Sequence, residues 1–314
     1  MIQDKECNSV YFAEYLQIMF PKLYEDLQCI LEKYGYKPKL ITATDTSLVG
    51  KQLSIWVRDY MPIQRSISNH ILFDYTPDYL INVQKYCNHI PDGLKAIKEH
   101  SVGINVRKFR SGNNECAKGL NIDGGNMLRC GDYIVMTDKV FDANPTWKQD
   151  ELIDALTQMF NKKVIILPWD KREFCGHTDG IVRYIGNGQI LLNTYGYPEI
   201  DGTDKWFMER FYNRLVPYFG TENIKILSWE ARKKPSKYRW AYINWLQLEN
   251  VLIIPKFEVP EDAEALAQIE SFMPDYHGKI EQVTINQEYL ENGKLKNLVE
   301  LGGCLNCASW TIQE

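Results

Sequence analysis

No apolar run in this 314-residue chain approaches the ~18 residues needed to cross a bilayer, so no membrane-spanning helix is expected. The start, Met1-Ile2-Gln3-Asp4-Lys5-Glu6-Cys7, lacks the basic stretch and apolar core of a secretory signal. A basic excess is missing too. With 36 Lys and Arg against 41 Asp and Glu, the net charge is −5, which argues against a nucleic-acid partner and suits, weakly, a cationic ligand. Cysteines at positions 7, 29, 87, 116, 130, 175, 304 and 307 show no framework spacing, and reduced thiols in a cytoplasmic protein are the simplest reading. No Gly-, Pro- or Ser-rich linker divides the sequence, so a single domain over residues 1–314 is expected. What is present is ample core material, with 45% hydrophobic residues and 25% charged.

The apolar spacing predicts a helix over 9–34, then a strand near 39–43. A β-prone run follows at 54–62, holding Arg58 and Asp59, and a second strand at 71–75. The same grammar returns four more times. Helices are predicted at 94–100, 151–160, 207–218 and 262–273, and strands at 103–109, 163–167, 224–228 and 279–285. Hairpins are predicted around 130–132, 186–188 and 249–250, the second marked by Gly186-Asn187-Gly188. Each hairpin carries a polar cluster on its incoming arm. Asp59, Asp123, His177, Asn244 and Cys307 mark the five, at separations of 54 to 67 residues. A recurrence of about a fifth of the chain is the signature of a repeat architecture, and five units in a ring would aim all five clusters at one axis.

The tail, Leu301-Gly302-Gly303-Cys304-Leu305-Asn306-Cys307-Ala308-Ser309-Trp310, supplies the thiol. A neutral-pH thiol needs a lowered pKa or a base beside it. Among only five histidines, His177 in Gly176-His177-Thr178-Asp179-Gly180 is the best partner. A lone histidine is more often structural, but this one stands in register with the other clusters. Asp59 interrupts an apolar run and so must be paired, exposed or functional. On a strand, Arg58 would point to the opposite face. Asp59 and Asp179, with no basic cluster evident beside them, form a socket for a cation, and a planar guanidinium matches carboxylates two at a time.

Trp56-Val57-Arg58-Asp59, Asp123-Gly124-Gly125-Asn126, Glu173-Phe174-Cys175-Gly176-His177-Thr178-Asp179, Ala241-Tyr242-Ile243-Asn244-Trp245 and Gly302-Gly303-Cys304-Leu305-Asn306-Cys307 occur in this order. Together they resemble the motif series of the agmatine deiminase and Porphyromonas-type peptidylarginine deiminase family, over essentially the whole chain. The resemblance implies the α/β pentein fold, a five-bladed propeller of five pseudo-repeated ββαβ units. It implies a hydrolase that converts a guanidino group to a ureido group plus ammonia, with no metal or organic cofactor. By position, Cys307 matches the nucleophile that forms a covalent thiouronium, and His177 the general acid and base. Asp59 and Asp179 match the carboxylates that grip the guanidinium. Trp56, Glu173, Asn244, Asp123 and Asn126 match substrate-binding positions. An agmatine substrate would place the reaction in putrescine and polyamine chemistry, and the reading leaves room for a homodimer.

The departures concern the substrate. Asn306 stands where agmatine deiminases carry His, and Phe73-Asp74-Tyr75 where they carry Trp-Gly-Gly. The arginine clamp of the peptidylarginine enzymes is missing, since no Arg lies between Arg65 and Arg107. The basic stretch Arg232-Lys233-Lys234, with Lys237 and Arg239, offers a receiver for an anionic substrate end, or a plain solvated loop. Cys304 and Cys307 form a C-x-x-C, but redox and zinc roles are disfavoured by its place at the chain's end and the want of a second ligand pair. Amidinotransfer and a catalytically silent binding protein of the same fold are the remaining alternatives.

Overall fold

The computed structural model describes residues 1–42, 55–78, 105–109, 119–171, 175–194, 202–230, 236–291 and 293–314. Ser9–Ala13 forms strand β1, not the start of the helix that the apolar spacing predicts. Every residue of β1 is buried, because it lies antiparallel to β17 (Ser309–Ile312) and parallel to β2 (Lys39–Ile41). The run Val10-Tyr11-Phe12 has no period that separates strand from helix. A partner from the far end of the chain decides it. Helix begins only afterwards, as α1 (Glu14–Met19) and α2 (Pro21–Lys33). Pro21 sits in the first turn of α2, where its missing N–H costs nothing.

The same three-stranded sheet then recurs four times. Its members are β3 (Ile63–Ser66), β4 (Asn69–Leu72) and β5 (Asn105–Lys108), then β6 (Leu128–Cys130), β7 (Tyr133–Thr137) and β8 (Lys163–Leu167). After these come β9 (Val182–Gly186), β10 (Gln189–Asn193) and β11 (Ile224–Leu227), then β12 (Leu246–Leu248), β13 (Val251–Lys256) and β14 (Ile280–Thr284). In each, the first two strands are an antiparallel pair and the third joins in parallel. A parallel partner requires a crossover. Helices α5 (Gln149–Phe160), α6 (Gly202–Phe219) and α7 (Glu261–Phe272) supply it for three sheets, and α2 for the sheet that joins the chain ends. The helix predicted at 94–100 lies outside the described residues. The three-stranded sheet occurs five times and ββαβ is complete in four of these units among the described residues, the arrangement of a five-bladed α/β propeller, with β17 completing the unit that the N-terminus begins. A further hairpin, β15 (Tyr289–Glu291) with β16 (Lys294–Lys296), stands outside the repeat.

Local chemistry explains the elements. In α5, Leu152, Leu156 and Phe160 repeat every fourth residue and are buried, each burial contributing roughly 1.5–3 kcal/mol. Asn161 ends the helix in the left-handed conformation, at φ 50°. Gly186, Asn187 and Gly188 take φ of 95°, 53° and 74°, the turn that the Asn-Gly signal predicts. Among the described residues no helix is long and apolar enough to cross a membrane.

The five polar clusters are not on strands. Each lies on a short helical turn or a bend just ahead of the first strand of its sheet. These are α3 (Val57–Tyr60), the 3-10 turns Gly124–Asn126, Thr178–Gly180 and Arg239–Ile243, and the segment that leads from Gly302 to Cys307. Hydrogen bonds tie each turn to the next. Gly125 N donates to Asp59 Oδ1 (2.8 Å), Thr178 Oγ1 to Asn126 Oδ1 (2.9 Å), and Asn244 Nδ2 to the carbonyl of Asp179 (3.4 Å). Asn306 N donates to the carbonyl of Asn244 (3.0 Å), and Arg58 N to that of Cys307 (3.1 Å), which closes the circle.

Beneath this circle, three guanidiniums converge on one carboxylate. Arg129 in β6 and Arg183 in β9 ion-pair with Asp4, the latter at 2.9 Å, while Arg58 Nη1 lies 3.8 Å away. Burial opposes ionisation of Asp4, but the arginines override it and hold its carboxyl well below the usual range. The socket for cations therefore does have a basic cluster beside it, contrary to the sequence reading. Arg58 still does not pair with Asp59; it turns instead to Asp4. Removing one partner of a buried ionic cluster leaves the others uncompensated, at about 3–5 kcal/mol. Urea denaturation of Asp4→Asn is expected to show a loss of that size, and a loss below about 1 kcal/mol would show the cluster to be dispensable.

Candidate active site

The nucleophile candidate is placed by two glycines. Gly302 takes φ 102°, closed to most side chains. Gly303 lies so close to Trp56 that a Cβ there would stand 2.5 Å from the indole. The loop thus descends onto Trp56 and carries Cys307 inward, where it is only 6% exposed. Asn244 fixes it. Its Oδ1 accepts the backbone N–H of Asn306 (3.0 Å) and of Cys307 (3.3 Å), and its Nδ2 lies 3.2 Å from Cys307 Sγ. Asp179 Oδ2 is 3.4 Å from the same sulfur and accepts a hydrogen bond from Asn306 Nδ2 at 2.7 Å.

Opposite stand the imidazole and its carboxylates. His177 Nε2 meets Asp123 Oδ2 at 3.0 Å, and its Nδ1 lies 3.7 Å from Asp59 Oδ1. The α-carbon of Gly125 sits between them all. A Cβ there would stand 2.8 Å from His177 Nδ1, 2.9 Å from Asp59 Oδ1 and 3.3 Å from Asp179 Oδ2. So one glycine is the floor on which both acids and the imidazole converge, and any side chain would fill the space between them.

The electrostatics follow. Burial disfavours the imidazolium of His177, but Asp59 and Asp123 outweigh it and raise the pKa to about 9. Burial likewise pushes the Asp123 carboxyl up, yet the hydrogen bond and charge of His177, with Lys139, leave it lowered. The Cys307 thiol is raised well above its ordinary value by burial first, then by the charges of Asp179 and Asp59. At rest this is a protonated thiol beside a protonated imidazole.

The sequence-predicted residues divide accordingly. Cys307, His177, Asp59, Asp179 and Asn244 are brought together, with Trp56 beneath the nucleophile loop. Asp123 bears on His177. Asn126 ties the surrounding turns. Its Oδ1 accepts hydrogen bonds from Thr137 N, Thr137 Oγ1 and Thr178 Oγ1, so it clips neighbouring turns together. Arg239 is buried, with Glu261 at 3.2 Å and its plane over Trp229, and is not placed to receive an anionic substrate end. Glu173 and Arg232-Lys233-Lys234 lie outside the described residues. Cys304 is a buried free thiol, as is Cys307.

Three contributors escape the sequence reading. Gly125 and Asn306 were legible only as parts of motifs. Lys139, just after β7, is 2% exposed and donates to Asp123 Oδ2 at 2.7 Å and Asp78 Oδ1 at 2.9 Å. The signal was available. A lysine between Val135-Met136-Thr137 and Val140-Phe141 interrupts an apolar run as Asp59 does, and so needs a partner.

Comparison with solved structures places this arrangement among the pentein folds. A substrate-bound Cys-to-Ser variant of C. jejuni agmatine deiminase aligns over 100% of this chain and 96% of its own, at TM-score 0.72 and 13% identity. An agmatine deiminase of Enterococcus faecalis aligns over 100% and 95%, at TM-score 0.65 and 14% identity. The N-terminal domain of ArgZ, a cyanobacterial arginine dihydrolase, aligns over 98% of both chains, at TM-score 0.55 and 10% identity. At these identities the likeness is one of fold. The family follows from the sequence itself: residues 40–309 match the Porphyromonas-type peptidyl-arginine deiminase model, and the chain belongs to that family. No curated protein matches it.

The imidazole has a consequence for stability. A folded-state pKa near 9 against 6.5 unfolded means that His177 adds stability fully below pH 6.5 and loses it as pH rises through about 9. Subtracting the unfolding free energy of His177→Gln from that of the wild type, pH by pH, is expected to give a difference that declines across this window. A difference independent of pH would refute the paired, protonated imidazole.

Proposed function

We propose that the protein is a guanidine deiminase that works by covalent Cys307 catalysis. The observation that carries this reading is the convergence on Gly125 of two carboxylates and an imidazole, with a buried thiol against one of those carboxylates. Family membership supports a guanidino-group hydrolase, and the site supports the steps.

Asp59 and Asp179 hold the guanidinium by charge-assisted hydrogen bonds. Binding the cation answers both charges that keep the Cys307 thiol protonated, so the substrate itself favours the thiolate. Cys307 loses its proton to solvent as the cation binds, and its Sγ attacks the guanidinium carbon. His177 gives its proton to the departing nitrogen, and ammonia leaves a thiouronium bonded to Cys307. Neutral His177 then takes a proton from water as it adds to that carbon. Collapse breaks the C–S bond, restores Cys307 and releases the ureido product. Asn244, bonded to both Sγ and the nucleophile's own N–H, keeps the sulfur in line throughout. Agmatine is the substrate we favour, with peptidyl arginine and free arginine as competitors.

The test is a parallel assay of ammonia and ureido product over agmatine, free arginine, peptidyl arginine and acidic-ended guanidines, without an added amine acceptor. One of these is expected to be consumed by the wild type, and by Cys307→Ser at least about 10³-fold more slowly. If the wild type consumes no guanidine, the reading fails.

Alkylation probes the dormant thiol independently of turnover. At pH 7, the cationic 2-chloroacetamidine is expected to inactivate the enzyme at least about tenfold faster than neutral iodoacetamide, and Asp179→Asn to shrink that ratio. Equal rates for the two reagents would show that the carboxylates do not govern the thiol.

A further inference from the structure

We propose that Lys139 is a positioning residue of this site: its ammonium clamps Asp123 onto His177 Nε2, and its fixed charge limits how firmly His177 holds its proton. The role in turnover rests on the deiminase reading; the geometry does not. Lys139 Nζ and His177 Nε2 address the same carboxylate oxygen, Asp123 Oδ2, at 2.7 and 3.0 Å. A lysine that served only to neutralise a buried acid could have taken the other oxygen. Sharing one oxygen orients the carboxylate and leaves a permanent positive charge one atom removed from the imidazole.

Among the described residues, the charged groups facing His177 include Asp59 from α3, Asp123 from the second motif and Lys139 from α4 (Lys139–Asp142), with Asp179 across Gly125. Those facing Lys139 include Asp123 and Asp78. Asp59 and Asp123 pull the imidazole toward its charged form, and Lys139 opposes them. A catalyst that must first give a proton and then take one works best when its pKa is near the working pH. Without the opposing charge of the lysine, His177 would hold its proton more tightly and release it less readily. Asp78 sets the strength of the effect, because the charge it draws from Lys139 is charge that Asp123 and His177 do not feel.

His177 can be titrated by NMR in the Cys307→Ser protein, which removes turnover from the measurement. In the Lys139→Met variant the midpoint is expected to rise by about one pH unit or more, and in Lys139→Arg to stay near that of the parent. Asp78 is 58% exposed, so Asp78→Asn is expected to fold normally and to lower the midpoint. In active enzyme, Lys139→Met is expected to lose about 10- to 100-fold in kcat with KM changed less than about threefold. Its alkaline limb should move up with the midpoint, and Lys139→Arg should restore both. An unmoved midpoint in Lys139→Met and Asp78→Asn overturns the proposal. If Lys139→Met does not fold, an unmoved midpoint in Asp78→Asn alone overturns it. Should no guanidine be consumed, the deiminase reading falls while the titration still decides the place of Lys139.

Discussion

Two carboxylates, Asp59 and Asp179, are buried around Gly125 and a third, Asp123, against the other side of His177, and most of the polar architecture answers the cost of keeping them there. An isolated buried carboxylate would simply take up a proton. Here each has a donor: the Gly125 amide for Asp59, Asn306 for Asp179, and Lys139 with His177 for Asp123. The donors arrive from different repeats, because a carboxylate at an axis can be reached only by the turn beside it. Ring closure is therefore not decoration. The antiparallel pairing of β1 with β17 brings the last turn against the first, and without it the Cys307 carbonyl would not meet Arg58 N.

The sign of the charges explains how a buried thiol can be both protected and reactive. Among the described residues, four acids, the half-buried Asp4 and the buried Asp59, Asp123 and Asp179, lie near four bases, Arg58, Arg129, Arg183 and Lys139. The arginines gather on Asp4 under the circle of turns, and the carboxylates of Asp59, Asp123 and Asp179 lie above it with Lys139. This arrangement keeps a negative field at Sγ and a positive one behind it. Arg58 bridges the two layers, since its Nε donates to the Asn306 carbonyl beside the nucleophile while its guanidinium lies near Asp4. A ligand that relieves the negative field must be a cation, so under the proposed mechanism selection and activation become one event. A thiol depressed by a permanent positive neighbour would instead be open to every electrophile in solution.

The repeat was legible because polar clusters recur at nearly even spacing, and spacing survives when residue identities diverge. The members of the site were legible for a related reason: an aspartate or histidine inside an apolar run carries its own signal. What failed was local conformation. Asp59 and Asp179 read as strand residues and lie on helical turns, since a single turn ahead of a strand has too few residues to show a period. Val10-Tyr11-Phe12 read as helix, because its strand partners are Trp310 and Thr311 on one side and Lys39 and Leu40 on the other. Long-range pairing of that kind leaves no mark in a local window. Lys139 was overlooked for want of symmetry; the other four clusters have no counterpart to it among the described residues.

Asn306 shows how a departure from a family pattern can be read physically. The family resemblance implies an imidazole at this position in agmatine deiminases, and here an amide donates to Asp179 Oδ2. Its orientation is fixed, because the reverse one would set a carbonyl oxygen against a carboxylate. A histidine donor in that place would gain or lose charge with pH, and with it the field at the sulfur would change. An amide does neither. The carboxylate that faces Cys307 thus keeps the same neutral donor at every pH. An amide here keeps the hydrogen bond without adding a titration, which under the proposal above leaves the adjustment of proton affinity to the Lys139–Asp123 pair.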